Sequence, residues 1–170
     1  LRLGAQTRST DKLTYKLSLG YERYEYLYST TSATNQNYDL FSFDMAGKWK
    51  ATEKLHFQLT TRNGVQPAAE YDNNIMTVFL ASLSGEYFIT EPLYASLTGS
   101  YRLDTYKEEE VVDGILQPIE NRQISGYLRI NYAPPRKFYK VYLEGRYEVT
   151  RATWIEYDQL RLAIGLMLKY

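Results

Sequence analysis

The chain has 170 residues, no cysteine, and equal numbers of basic (Lys plus Arg, 20) and acidic (Asp plus Glu, 20) side chains. That balance supplies no global field for a nucleic acid or other polyanion, and the lack of cysteine excludes a disulfide framework and a thiolate metal site. No stretch approaches the roughly 18 consecutive apolar residues of a membrane helix, so any crossing of a bilayer must be made by strands.

Eighteen tyrosines in an aromatic share of 15% suit strands and membrane–water interfaces alike. In chain order, Leu1, Leu3 and Ala5 alternate with Arg2, Gln6 and Arg8. Leu13, Tyr15, Leu17, Leu19 and Tyr21 then oppose Lys16, Ser18 and Glu22. Phe41, Phe43, Met45, Gly47 and Trp49 oppose Asp44, Lys48 and Lys50; Leu55, Phe57 and Leu59 oppose Gln58. Phe79, Ala81, Leu83, Gly85, Tyr87 and Ile89 oppose Glu86, and Leu93 through Leu103 alternate with Ser96, Thr98, Ser100, Arg102 and Asp104. Ile124, Gly126, Leu128, Ile130 and Tyr132 oppose Ser125, Tyr127, Arg129 and Asn131. Tyr139, Val141, Leu143, Gly145, Tyr147 and Val149 oppose Lys140, Tyr142, Glu144, Arg146 and Glu148. Finally Leu160, Leu162, Ile164, Leu166, Leu168 and Tyr170 oppose Gln159, Arg161, Ala163, Gly165, Met167 and Lys169. Strict period-two alternation of this kind predicts about nine strands, each with one apolar and one polar face.

Short links at Ser9–Lys12, Thr52–Lys54, Thr90–Pro92 and Pro134–Lys137 alternate with longer polar ones at Ser29–Asn37, Asn63–Asn74, Lys107–Arg122 and near Trp154–Asp158. Three short links repeat a Thr-acid pattern before a leucine: Thr10-Asp11-Lys12-Leu13, Thr52-Glu53-Lys54-Leu55 and Thr90-Glu91-Pro92-Leu93. Short turns at one rim and long loops at the other predict an all-β, transmembrane antiparallel up-and-down barrel, with residues 1–170 as one outer-membrane barrel domain. A soluble sandwich would also alternate, but several segments reach the roughly nine to eleven residues that a tilted strand needs to cross a bilayer.

The aromatics are sorted by height. Trp49, Phe57, Tyr87, Tyr132, Tyr139 and Tyr170 lie next to short turns or the C-terminus, the positions of a periplasmic aromatic girdle. Phe41, Tyr101 and Tyr147 lie nearer the long loops. A cation on the lipid face at mid-bilayer costs roughly 2–4 kcal/mol, so the charged faces turn inward. The expected lumen lining is Lys16, Lys48, Arg62, Glu86, Arg102, Asp104, Arg129, Glu144, Arg146 and Arg161, with basic groups in excess. Gly85, Gly99 and Gly145 each precede an aromatic two residues on along the same face, which predicts either a ring over bare backbone or a simple bend.

Ile164, Leu166, Leu168 and Tyr170 resemble the C-terminal strand by which the barrel-assembly machinery recognises bacterial outer-membrane proteins. The phrases Leu19-Gly20-Tyr21-Glu22-Arg23, Gly99-Ser100-Tyr101-Arg102-Leu103 and Gly145-Arg146-Tyr147-Glu148, with the repeated Thr-Asp/Glu-Lys-Leu turn, are similar to the β-barrel porin type 2 family of Gram-negative bacteria. The resemblance implies a barrel in the bacterial outer membrane, with outer-membrane lipid and the assembly machinery as partners, and brings no catalytic residues or cofactor.

If Tyr170 ends at the periplasmic rim, about nine strands put Leu1 at the opposite rim, whereas complete barrels have even strand counts and both termini in the periplasm. At least one further N-terminal strand is therefore expected. The alternatives are an eight-stranded barrel from Leu13 with residues 1–12 as an arm, or several chains sharing one barrel. Function is expected to be a porin-like or export pore with a mildly basic lumen. The alternative is a non-conducting structural or interaction barrel that displays its loops or docks a protein partner. The lone histidine, His56, faces inward beside a short turn without a Ser or Asp partner nearby in sequence, so the chain is read as no enzyme. Glu108, Glu109 and Glu110 read as a solvated loop rather than a metal site, and no cofactor is expected.

Overall fold

The computed structural model describes residues 2–8, 10–26, 36–67, 75–112, 115–135, 138–153 and 155–168. The alternating segments form one sheet of nine antiparallel strands in chain order. They are β1 (Arg2–Arg8), β2 (Leu13–Tyr26), β3 (Gln36–Lys50), β4 (Leu55–Pro67), β5 (Ile75–Phe88), β6 (Leu93–Val112), β7 (Ile115–Tyr132), β8 (Tyr139–Ala152) and β9 (Glu156–Leu168). Among the described residues there is no helix, and β1 and β9 are the two edges. Residues 2–8 pair with β2 from Arg2 opposite Gly20 to Arg8 opposite Thr14, so they are a strand of the wall and not the arm that an eight-stranded barrel would require.

Two of the short turns are built alike through a threonine hydroxyl; in the third, where Pro92 has no N–H, Thr90 and Leu93 exchange backbone bonds of 3.1 and 3.2 Å instead. The Thr10 hydroxyl accepts the backbone N–H of Lys12 and Leu13 at 3.2 and 3.0 Å, and Thr52 does the same for Lys54 and Leu55 at 3.2 and 2.9 Å. The side-chain oxygen thereby adds to the backbone bonds that close the turn, such as Thr10 N–H to the Leu13 carbonyl at 3.3 Å and Thr52 N–H to the Leu55 carbonyl at 3.2 Å. The residue before each leucine also accepts a bond from a neighbouring strand: Lys50 N–H to the Lys12 carbonyl at 2.8 Å, Phe88 to Lys54 at 2.8 Å, and Ala133 to Pro92 at 2.7 Å.

Lys107–Arg122 differs from expectation. Instead of a loop, β6 and β7 run on as a paired hairpin to Val112 opposite Ile115, with a register shift between Thr105 and Glu109. A polar run such as Lys107 to Glu110 does not by composition distinguish a loop from a paired strand. The bulge absorbs an irregularity without ending the ladder.

Register locks one face as apolar right across the sheet: Leu55, Tyr87, Ala95, Ile130, Leu143 and Ile164 are successive cross-strand partners from β4 to β9. This face is uncovered, with Leu97 61%, Leu83 54% and Leu143 54% exposed, whereas on the opposite face Asn131 is 1% and Asp104 4% exposed. A soluble sandwich would bury the leucines; here the polar face is concave and crowded. Lys140 of β8 reaches over β7 to the Tyr94 hydroxyl of β6 at 2.7 Å, as curvature toward the polar side requires.

The outward apolar run is Leu13–Tyr21 on β2, Phe41–Trp49 on β3 and Ile124–Tyr132 on β7, ending at Arg23, Asp39 and Arg122 on the long-loop side. Nine tilted strand residues span roughly 20–25 Å, the height of the apolar band of an outer-membrane barrel.

Candidate functional site

The concave polar face gathers every residue expected to line a lumen. Lys16 lies on β2, Lys48 on β3, Arg62 on β4, Glu86 on β5, Arg102 and Asp104 on β6, Arg129 on β7, Glu144 and Arg146 on β8, and Arg161 on β9. Cross-strand register puts all ten on the face opposite the leucines.

On β6–β8 the charges are neutralised along the wall. Glu144 accepts from Arg129 Nε at 2.9 Å, from an Arg129 terminal nitrogen at 2.6 Å, and from the Tyr127 hydroxyl at 2.7 Å. Charge-assisted bonds of this kind are the stronger class. Arg102 Nε donates to both oxygens of Asp104 at 2.8 and 2.9 Å. Glu148 accepts from Arg146 at 2.5 Å and from Gln123 at 2.7 Å; on β9, Arg161 donates to the neutral Gln159 at 2.8 Å and keeps its charge. Each pair joins the same or adjacent strands.

On β2–β5 the pattern differs. Lys16, Lys48, Arg62 and Glu86 make no hydrogen bond or ion pair among the described residues, although Arg62 stands opposite Asp44 in register. Across both regions runs a row of small side chains: Ala46, Thr60, Ser82, Ser100 and Ser125 are successive partners across β3–β7, with Ser100 and Ser125 sharing a hydroxyl bond of 2.6 Å.

Several partners escaped sequence reasoning because they depend on which strands are adjacent. Tyr142 lies over Gly165, its cross-strand partner on β9, where any β-carbon would collide with the ring, while the Arg129 guanidinium sits 4.3 Å from the ring centroid. Glycine at 165 is thus the recess that holds Tyr142, and Tyr142 carries Arg129 by a cation–π contact. Glycine among larger residues on a polar strand face was the available signal.

The outward glycines behave differently from expectation. Gly85 is covered by Phe57 of the neighbouring strand, 3.3 Å from where a β-carbon would stand, and Gly145 by Leu162 at the same distance. Gly99 faces Gly126 across the ladder, and a β-carbon on either would meet nothing within 4 Å. Covering comes from the adjacent strand, because cross-strand partners approach more closely than residues two apart along one strand.

Trp49, Phe57, Tyr87, Tyr132 and Tyr139 stand on the apolar face at the short-turn side; Trp49 and Phe57 stack with centroids 5.6 Å apart. A second row, Phe43, Phe79 and Tyr101, follows nearer the long loops at successive centroid distances of 6.2 Å. Ile164, Leu166 and Leu168 project from the outer face of β9 and are 78%, 64% and 49% exposed. Tyr170, assigned to both the girdle and the assembly signal, lies outside the described residues. His56 is opposite both Lys50 and Glu86 in register and packs edge-on against Phe88 at 5.1 Å.

A curved, nine-stranded up-and-down wall, apolar outside and polar inside, defines the class: the fold of a bacterial outer-membrane β-barrel. Solved structures agree. The chain is similar to OmpT, an outer membrane protein of Vibrio cholerae folded in vitro, with a TM-score of 0.62 and 14% identity over 97% of this chain and 53% of that one. It is similar to the loop L8 deletion mutant of the same protein with a TM-score of 0.63 and 14% identity over 97% and 51%. The chain therefore spans about half the length of the structures it matches. No protein-family model matches the chain, and no curated protein does. The likeness also corrects the expectation that the chain is no enzyme. What is shared with these outer-membrane proteins at 14% identity is a fold, one fold carries unrelated functions, and the exclusion of catalysis is withdrawn.

Proposed function

We propose that the chain forms part of the wall of a water-filled outer-membrane pore for small polar solutes. The carrying observation is how the inner face disposes of its bulk and charge. The ion pairs Arg129–Glu144, Arg102–Asp104 and Arg146–Glu148 lie along the wall, and the row from Ala46 to Ser125 keeps its middle low. A narrow, plugged barrel fills its interior with large side chains and pairs charges across it; a wall that satisfies itself leaves the lumen to water. The resemblance of the strand phrases to the porin type 2 family supports the same reading, with outer-membrane lipid around the barrel and the assembly machinery acting on its biogenesis.

The wall needs closing, since hydrocarbon tolerates no unpaired strand edge. β1 and β9 run in the same direction, so direct pairing of these edges would be parallel. An odd number of further strands between them keeps every neighbour antiparallel, and a barrel about twice this chain's length accommodates them.

Conductance across a planar lipid bilayer tests the pore: folded protein that never opens discrete ion-conducting steps would sink it. One observation favours a second reading. The β6–β7 hairpin continues about ten residues past the apolar band on each strand, which suits a surface that displays a binding site for a protein partner.

A further inference from the structure

The polar face is uneven along its strands. Four of its lysines stand within four residues of the short-turn end of their strand: Lys16 is the fourth residue of β2, Lys48 and Lys50 close β3, and Lys140 is the second residue of β8. None pairs with a carboxylate among the described residues; Lys140 donates to the Tyr94 hydroxyl. Arg129, in the same band, is neutralised by Glu144, and Arg102 and Arg146 further along have carboxylates of their own. Apart from Glu144, which Arg129 takes up, Glu86 is the inward carboxylate of this band among the described residues. The turns themselves carry Asp11, Glu53 and Glu91 against Lys12 and Lys54. Net positive charge therefore collects at one mouth.

Within this band four donors form a block on two strands. Lys50 faces His56 and Lys48 faces Gln58 across the β3–β4 ladder, and together with Ser84 and Glu86 they line a recess of about 240 Å³. Cross-strand partners lie about 5 Å apart and same-face neighbours along a strand about 7 Å. Side chains at those spacings can surround a tetrahedral or planar oxyanion, and the two ammonium groups are flexible enough to turn toward it.

We propose that this block seats the phosphate or carboxylate group of an anionic solute, making the short-turn mouth an anion vestibule. The inference rests on the pore reading for its role in traffic, but not for the binding itself. Unpaired lysines concentrate anions locally, and binding that is weak and exposed lets them leave again, as conduction requires.

Two measurements on the folded, full-length protein separate the claims. In a non-ionic detergent at low salt, inorganic phosphate should show line broadening in its phosphorus NMR signal. K48Q/K50Q should weaken that binding at least five-fold, and R151Q on the outer face should not. In a bilayer under a potassium chloride gradient, the reversal potential should report preference for chloride, with the permeability ratio falling at least two-fold in K48Q/K50Q. Phosphate bound by a protein that passes no current would overturn the pore and leave the vestibule standing. Absent broadening, equal broadening in K48Q/K50Q, or a conducting channel whose selectivity ignores that substitution would overturn the vestibule.

Discussion

Asn63 stands in for a peptide group of the sheet beside Phe43. Its side-chain oxygen accepts the Phe43 N–H at 2.7 Å, and its amide nitrogen donates to the Phe41 carbonyl at 3.0 Å. The β3–β4 ladder ends at this pair, although β3 stays paired with β2 as far as Gln36 and β4 with β5 as far as Pro67. A cavity of about 150 Å³ lined by Ser18, Ser42, Asp44, Arg62 and Gly64 sits at the fork. A wall in hydrocarbon cannot leave these backbone groups bare, and a side-chain amide has the donor and acceptor of a peptide at the right separation.

Asn63→Ala should therefore open the seam further. Two lost hydrogen bonds, each worth about 1 kcal/mol net and more where water is scarce, predict faster amide exchange at Phe43, while exchange at Leu59 in the middle of β4 should not change. Unchanged exchange at Phe43 would mean that the amide bridges groups already satisfied.

Glu144 holds Tyr127 and Arg129 together. Glu144→Gln should lower stability, since the Arg129 guanidinium loses its counter-charge and the Tyr127 hydroxyl its charged acceptor. Replacing Arg129 and Glu144 together by methionine should cost less than the two single changes added. Additive costs in urea unfolding from detergent micelles would show that the pair is uncoupled.

Gly165→Ala should displace the Tyr142 ring and, through it, Arg129. A destabilisation of about 1–3 kcal/mol is expected from overpacking, relieved when Tyr142 is also changed to alanine. If Y142A fails to rescue G165A, the recess has no steric role.

Leu97 and Thr98 are neighbours on opposite faces of β6, and arginine at each position tests which side meets lipid. Leu97→Arg should weaken folding into vesicles by about 2–4 kcal/mol, whereas Thr98→Arg should fall within about 1 kcal/mol of the parent. The reverse order would invert the wall.

Alternation in the sequence determined the nine strands, their faces and the placement of all ten charged residues on one face, because a side-chain period of two leaves no freedom once lipid penalises charge. The threonine turns were equally legible, each being a contact between residues two or three apart. Who meets whom was not: Gly85 with Phe57, Tyr142 with Gly165, Lys140 with Tyr94 over an intervening strand. Nor was the fork at Asn63, which arises where neighbouring ladders part company, or the hairpin beyond Thr105, where polar composition reports water and says nothing of pairing. Sequence determined which way each side chain points, since that is local. The tertiary structure decided which charges are neutralised and which stay free, because that depends on the register and curvature that bring distant strands together.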